Sequence, residues 1–416
     1  MNKESSDRFK ICILTAARSE YGLLRPIIRK MLADPFFDVR VAVTGMHLAK
    51  DYGYTYKEIE EDGIPIDARI PVSIDTSSPE GISRSQAEEL EGFAHYFRNR
   101  RPDAVLILGD RYEILPVGIA AINEGIPIAH ISGGDVTEGA VDDIVRHCMT
   151  KMSCLHFVAS ELNENRVIQM GEEPNRVFRV GSMSAECARS VELMDAGELA
   201  DSMINELNAP ANVRNMICRD KGAENQRNLA IVTFHPTTLS DNSPEEQCRS
   251  LLEALNKVEG LSVIFTKANS DLGGKIINDM IDDYVRKHPE SSCAFTSLGQ
   301  RRFLSAVALS DAVIGNSSSG LSEVPSLAVP TVDIGDRQKG REKGFSVISC
   351  NDTENEIIES IHKALSEKFR NEIISKSQNG DLNPYEKRGT SDNIVRIIKQ
   401  QAIEGRLSVV KHFHML

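Results

Sequence analysis

No apolar run in the sequence approaches the ~20 residues a membrane-spanning helix needs, so it offers no transmembrane segment. Its eight cysteines, Cys12, Cys148, Cys154, Cys187, Cys218, Cys248, Cys293 and Cys350, include no C-x-x-C pair. Neither a zinc site nor a dithiol redox motif is therefore signalled, and buried reduced thiols are expected. Positive charge is in short supply: 48 lysines and arginines against 61 acids give a formal net charge of −13. That argues against a general nucleic-acid binder, which shows a basic footprint. A local arginine cluster can still hold a small phosphate on an acidic protein. Two nucleotide signatures are missing, the G-x-x-x-x-G-K-[ST] loop and the G-x-G-x-x-G fingerprint. The start, MNKESSDRFK, is polar and runs straight into ICILTA. No signal peptide is read there, and a cytoplasmic protein is expected.

The 416 residues, 41% of them hydrophobic, suffice for two core-bearing domains. Strand candidates fall at Ile11–Thr15, Val39–Thr44, Ala104–Leu108, Pro127–Ile131, Leu155–Val158 and Val177–Val180. A second set falls at Leu229–Phe234, Leu261–Thr266, Cys293–Thr296, Ala312–Ile314, Thr331–Ile334 and Phe345–Ile348. Many are apolar at consecutive positions, as strands covered on both faces should be. Helical patterns alternate with them, among them Gly22–Ala33, Ser85–Asn99, Ile114–Glu124, Pro244–Val258 and Arg301–Ser310. The alternation predicts an α/β protein: two Rossmann-like domains with parallel sheets facing a cleft. The boundaries are drawn at 1–185, 186–385 and 386–416, the last a helix from about Ser391 expected to pack back on the first domain. The stretch from Ser190 to Asn228 carries no strand pattern and reads as the connection. His412 and His414 in the tail KHFHML read as a frayed end rather than a metal site.

Chemistry gathers where strands end. After the first comes TAARSEYGLL, whose Arg18 precedes a helix and either binds a phosphate or is a solvated loop arginine. After Ala104–Leu108 comes GDRYE, where Asp110 and Arg111 form either a structural ion pair or part of a site. After Pro127–Ile131 comes SGGDVTEGAVDDIVRHCMTK. Its acids Asp135, Glu138, Asp142 and Asp143 stand close enough to perturb one another's acidity, which makes a carboxylate a competent base or acid. Helical spacing pairs Arg146 with Asp142 and His147 with Asp143. Glu138 reads as an ordinary surface residue. The double glycine and the strand-end position point Asp135, Asp142 and Asp143 to function.

In the second half, His235 follows a strand in IVTFHPTTLS and is either structural or an acid–base group titrating near neutrality. The loop in AVIGNSSSGLSEVPSL combines small residues with hydroxyls that can hold a diphosphate. Glu323 stands one turn after Ser319 and is suited to ribose hydroxyls. Arg337 and Arg341 in IGDRQKGR supply positive charge.

Taken together, TAARSEYGLL, VTGMH, LGDRYE, HISGGDVTEGAVDDIVRHCMTKMS, FHPTTLS, IGNSSSGLSEVPSL and IGDRQKGR resemble the hydrolysing UDP-N-acetylglucosamine 2-epimerases of the bacterial sialic-acid pathway. They span nearly the whole chain in family order. The resemblance implies a glycosyltransferase-B-like fold with the nucleotide mainly on the second domain, and no nicotinamide, other cofactor or metal. It implies elimination of UDP to a 2-acetamidoglucal, then hydration to free N-acetylmannosamine. It assigns Asp110, Asp135, Asp142 and Asp143 to proton transfer, with His235 assisting near the leaving phosphate. Arg18, Arg111, Ser317, Ser318, Ser319, Gly320 and Arg337 would hold the diphosphate and Glu323 the ribose, with Ser297–Leu298 a candidate for the uracil. The expected partners are a UDP-sugar and further copies of the chain, as a homodimer or homotetramer, with no nucleic acid and no membrane.

One departure stands out. The family usually carries glutamate after the double glycine, where this chain has Asp135, one methylene shorter. The non-hydrolysing relatives carry a different motif in place of GDRYE, which favours hydrolysis. Three competing readings are a hydrolysing 2-epimerase of a 2,4-diacetamido-2,4,6-trideoxy-glucose nucleotide in legionaminic acid synthesis, a B-type glycosyltransferase and a catalytically silent sugar-nucleotide sensor.

Overall fold

The computed structural model describes residues 8–75, 78–138, 140–220, 226–237, 242–268, 273–380 and 382–415. Gly139 and Thr238 to Ser240, which belong to two of the motifs above, lie outside the described residues. The chain divides into two compact units. The first comprises Met1–Asp135, Val141–Glu186 and Tyr385–Leu416; the second comprises Val136–Ala140 and Cys187–Pro384. The short segment Val136–Ala140, which the sequence reading kept with the first domain, thus groups with the second.

The first unit is built on strands β1 (Phe9–Thr15), β2 (Phe37–Val43), β3 (Ile66–Arg69), β4 (Ala104–Leu108), β5 (Ile128–Ile131), β6 (Leu155–Val158) and β7 (Val177–Arg179). They form a seven-stranded sheet in the order β3-β2-β1-β4-β5-β6-β7, parallel throughout. Alternate side chains of β1 serve two cores. Ile11 and Ile13 pack with Leu24, Ile28 and Phe157, while Cys12 and Leu14 pack with Phe93, Phe97 and Ile107. That is why Ile11 to Leu14 are apolar at consecutive positions. Helix Thr390–Ile403 closes one face: its Ile394, Ile397 and Ile398 join the core of Ile11 and Leu24.

The second unit contains β8 (Asn228–Thr233), β9 (Leu261–Thr266), β10 (Ser292–Phe295), β11 (Ala312–Gly315), β12 (Thr331–Ile334) and β13 (Val347–Cys350). Their order, β10-β9-β8-β11-β12-β13, repeats the doubly wound pattern, again with parallel pairs. The connection from Ser190 holds helices Ala196–Leu207 and Val213–Ile217. The first of these begins on a capping box between Asp195 and Glu198.

In both sheets the strand order reverses beside the first strand, between β1 and β4 and between β8 and β11. Doubly wound sheets bind ligands outside the carboxyl ends of the strands at such a reversal. Arg18 and Asp110-Arg111 follow the first pair, and His235 and Asn316-Ser317 follow the second.

The tail residues 404–415 are held against the first unit by a buried charge. Glu172, 1% exposed, accepts from Lys151 Nζ at 2.6 Å, Lys411 Nζ at 2.7 Å and His156 Nε2 at 3.1 Å. Burial raises its pKa, but the hydrogen bonds from His156, Lys151 and Lys411 outweigh burial and hold it at about 2, below its ordinary 4.5. A depressed carboxylate stabilises the fold above its unfolded pKa and loses that contribution as pH falls through the folded one. Stability worth roughly 3 kcal/mol should therefore disappear between about pH 4.5 and pH 2. Melting temperature followed across that window should fall steeply in the wild type, and Glu172→Gln should flatten the slope. An unchanged slope would contradict the assignment.

Candidate active site

The first unit assembles a carboxylate cluster around one buried arginine. Arg146 lies in helix Asp142–Met152 and is 1% exposed. Its Nε donates to Asp110 Oδ2 at 2.9 Å, with Nη2 on the same oxygen. Its Nη1 donates to the Asp135 carbonyl at 2.9 Å and to Asp143 Oδ1 at 3.1 Å. Burial works against the charged guanidinium, but the charges of Asp110, Asp135 and Asp143 outweigh it and raise the pKa of Arg146. The sequence spacing pointed Arg146 at Asp142; the structure joins it to Asp143, three residues back, and to Asp110, from another segment. The other spacing pair holds, with His147 Nε2 3.3 Å from Asp143 Oδ2.

Local backbone explains how the acids are held. The Ser132-Gly133-Gly134 turn is tight, with Ser132 at φ 72 and Gly134 at φ 81. A Cβ on Gly134 would stand 2.4 Å from the Asn163 carbonyl, so only glycine lets this turn approach helix Glu161–Gln169. Asn163 Nδ2 then donates to Asp135 Oδ1 at 2.9 Å. Under the neighbouring strand end, His130 Nε2 lies 2.7 Å from the Gly109 carbonyl, next to Asp110. Burial holds the His130 imidazole down at about 4, so it is a neutral donor here.

Arg111 is gripped by Glu113, which is 2% exposed, through contacts of 3.3, 3.2 and 2.9 Å. Arg18 opens helix Arg18–Ala33 and pairs with Glu58 at 2.8 Å on a partly exposed surface. His47 of the VTGMH stretch is buried between Thr15 Oγ1 at 2.9 Å and Thr55 Oγ1 at 2.8 Å.

The second unit is organised by Asn316. Its Oδ1 accepts from the His235 backbone at 2.8 Å and its Nδ2 donates to the His235 carbonyl at 2.8 Å. The amide thereby imitates a strand partner and locks the ends of β8 and β11 together. Asn316 follows Gly315, where a Cβ would come within 1.9 Å of the Thr233 carbonyl. The Asn316 carbonyl in turn accepts from Arg337 Nη1 at 3.1 Å and Gln338 Nε2 at 2.9 Å. Ser317 and Ser318 stand directly after it, leading into the short helix Ser319–Ser322.

The fold adds a local environment to three of these residues. Burial and the charge of Arg337 push His235 down to about 3, so its imidazole is neutral near pH 7 rather than titrating there. Gly320 is small for packing: a Cβ would meet Thr331 Cγ2 at 2.7 Å, and Thr331 Oγ1 donates to its carbonyl at 2.9 Å. Burial pushes Glu323 up to about 7, opposed by a hydrogen bond from Ser319, so at neutral pH it can donate as well as accept. Glu138 is a surface residue facing Lys339 at 3.6 Å. Ser297 Oγ accepts from Gly299 N at 3.1 Å and Leu298 is buried.

Glu20, Glu113, Asn316 and Gln338 lie inside the strand-end motifs without a role of their own in the sequence, and Asn163 lies outside them. Asn316 stood inside the GNSSSG loop and Glu113 inside GDRYE. The signal available was a polar residue at a strand end. Among the described residues no group of three metal-ligating side chains is placed to hold an ion, and no helix is long and apolar enough to cross a membrane.

Known proteins add a family. The family model described as UDP-N-acetylglucosamine 2-epimerase matches residues 29–399. A Campylobacter jejuni protein named GDP/UDP-N,N'-diacetylbacillosamine 2-epimerase (hydrolyzing) is 35% identical over 87% of this chain and 88% of its own length. An Escherichia coli polysialic acid biosynthesis protein P7 is 38% identical over 94% of this chain and 93% of its own. The fold is shared with the crystal structure of a Neisseria meningitidis UDP-GlcNAc 2-epimerase bound to UDP-GlcNAc. Its TM-score is 0.72 at 16% identity, over 94% of this chain and 100% of that one.

Proposed function

This chain belongs to the UDP-N-acetylglucosamine 2-epimerase family and is a sugar-nucleotide 2-epimerase of the hydrolysing kind, and we propose that it converts UDP-N-acetylglucosamine and water to N-acetylmannosamine and UDP for sialic acid biosynthesis. The observation that carries the reading is a pair of carboxylates, Asp110 and Asp143, fastened at the carboxyl end of the first sheet to one buried arginine that also holds the Asp135 carbonyl.

The C2 proton of the sugar is weakly acidic, so its removal needs a positioned base. Asp110, Asp135, Asp142 and Asp143 form the acid–base set. Held on a fixed guanidinium, Asp110 and Asp143 keep their geometry without reorganising as charge moves. Loss of the C2 proton and of UDP from C1 leaves the 2-acetamidoglucal. Addition of water then returns a proton to C2 and places a hydroxyl on C1. The leaving diphosphate carries the negative charge, and Arg18, Arg111, Arg337 and the hydroxyls of Ser317, Ser318 and Ser319 would receive it. Gly320 supports that loop by its packing on Thr331. Neutral His235 would donate a hydrogen bond to a phosphate oxygen, and Glu323 would hold the ribose.

The Escherichia coli relative, a polysialic acid biosynthesis protein, supports the sialic acid assignment. The Campylobacter jejuni relative supports a second reading, in which the substrate is a 2,4-diacetamido-2,4,6-trideoxy-glucose nucleotide. Measuring kcat/KM for UDP release with both sugar nucleotides separates them. We expect UDP-N-acetylglucosamine to be preferred at least tenfold, about 1.4 kcal/mol of transition-state discrimination. The opposite preference would transfer the assignment to the diacetamido sugar.

A further inference from the structure

We propose that Glu113 is a positioning residue for the leaving diphosphate: its buried carboxylate fixes the plane of the Arg111 guanidinium so that the side chain meets a phosphate in one orientation. This rests on the reading of Arg111 as a diphosphate ligand. The geometry is that of a built support. Glu113 grips the Nε and Nη2 edge of Arg111 through contacts of 3.3 Å and 3.2 Å to Nε and 2.9 Å to Nη2. Arg111 keeps 20% of its side chain exposed, which is the part an incoming phosphate can reach. Its guanidinium also lies over the Tyr112 ring, 5.9 Å from the centroid.

Two further carboxyls surround this pair from other elements. Glu20, in helix Arg18–Ala33, brings Oε1 to 3.8 Å from Arg111 Nε. Its Oε2 accepts from the Ala16 backbone at 2.7 Å, while Oε1 is buried with no hydrogen bond. Glu89, in helix Pro79–Arg100, is buried as well, and its Oε1 has no hydrogen bond. Burial raises Glu20 to about 7 and Glu89 to about 9; Arg111 opposes the first, and the charge of Glu113 adds to both. At neutral pH Glu89 is therefore largely protonated and Glu20 about half so, and Glu113 is the acid whose oxygens stand within hydrogen-bond distance of Arg111. A long flexible side chain at the mouth of a sheet would otherwise sample several rotamers. A fork-and-carboxylate pair removes that freedom before the substrate arrives.

A double-mutant cycle on UDP binding tests this. Kd for UDP is measured by titration calorimetry on the wild type, Glu113→Gln, Arg111→Ala and the double variant, each with its melting temperature. We expect Glu113→Gln to weaken UDP about tenfold and Arg111→Ala by tenfold to a hundredfold. The double variant should bind no more weakly than Arg111→Ala alone. If Glu113→Gln does not fold, Glu113→Asp keeps the charge, shortens the arm and enters the same cycle. A merely structural Glu113 would lower the melting temperature and leave the Kd of the folded protein at its wild-type value, which overturns the proposal. Multiplying effects in the double variant overturn it too. An unchanged Kd in Arg111→Ala removes the ligand role of Arg111 and the proposal with it. Failure of the epimerase reading shows elsewhere: the wild type would bind UDP through this arginine yet release none from the sugar nucleotide.

Discussion

Asp143→Asn should reduce turnover about a thousandfold, within the range general acid–base groups contribute, and leave UDP affinity within about twofold, inside the spread of small structural effects. Asp143 opens helix Asp142–Met152 with one oxygen 3.1 Å from Arg146 Nη1 and the other 3.3 Å from His147 Nε2. Its side chain is 22% exposed, so it can meet a substrate while its supports stay buried or half-buried. Asparagine is isosteric. Its oxygen can still accept from Arg146, and its amide can donate to His147. What it cannot do is take a proton. The variant should therefore fold, bind UDP, and fail at the sugar. UDP release measured alongside UDP titration reads both effects. Turnover near the wild-type rate would exclude Asp143 from proton transfer.

Arg146→Met should cost both stability and activity. Removing one partner of a buried charge cluster typically costs about 3–5 kcal/mol, because the remaining charges are left uncompensated. Here the residues left behind are Asp110, Asp143 and the Asp135 carbonyl. For a unit of this size that corresponds to a fall in melting temperature of roughly 10 °C. Turnover should drop below detection at any temperature, since the carboxylates would no longer share one frame. Arg146→Lys should not restore it: an ammonium cannot reproduce the guanidinium fork that spans three partners. A methionine variant that melts with the wild type would show that the acids are held by something else.

The sheets were legible because parallel strands covered on both faces must be apolar at consecutive positions. Ala104–Leu108, Leu155–Val158, Leu261–Thr266 and Thr331–Ile334 are observed with the bounds their sequences suggest. Ile66–Arg69 escaped notice because it pairs only with β2 at the sheet edge and alternates half-buried with exposed. The last strand starts at Val347 rather than Phe345, whose ring packs at a tilt against Phe369.

The acids themselves stood out in SGGDVTEGAVDD, but what fastens them did not. Asp110 and Arg146 are 36 positions apart, and no local spacing rule connects them. The same limit hid the partnership of Asn163 with Asp135, 28 positions away. GDRYE illustrates both sides. Its position after a buried strand marked it as chemical, while the distinct supports of its two charges, Arg146 for Asp110 and Glu113 for Arg111, emerge only from the fold. Burial, too, is a property of the folded chain. It is what makes His235 neutral and Glu323 weakly acidic.

In the proposed reaction a carboxylate of the first unit removes the C2 proton, and UDP is lost before water adds. Turnover of UDP-N-acetylglucosamine in deuterated water, followed by proton NMR, tests it most directly. The expected product is free N-acetylmannosamine carrying deuterium at C2, formed in step with UDP. Free sugar that keeps its C2 proton, or a UDP-linked epimer as the end product, would contradict it.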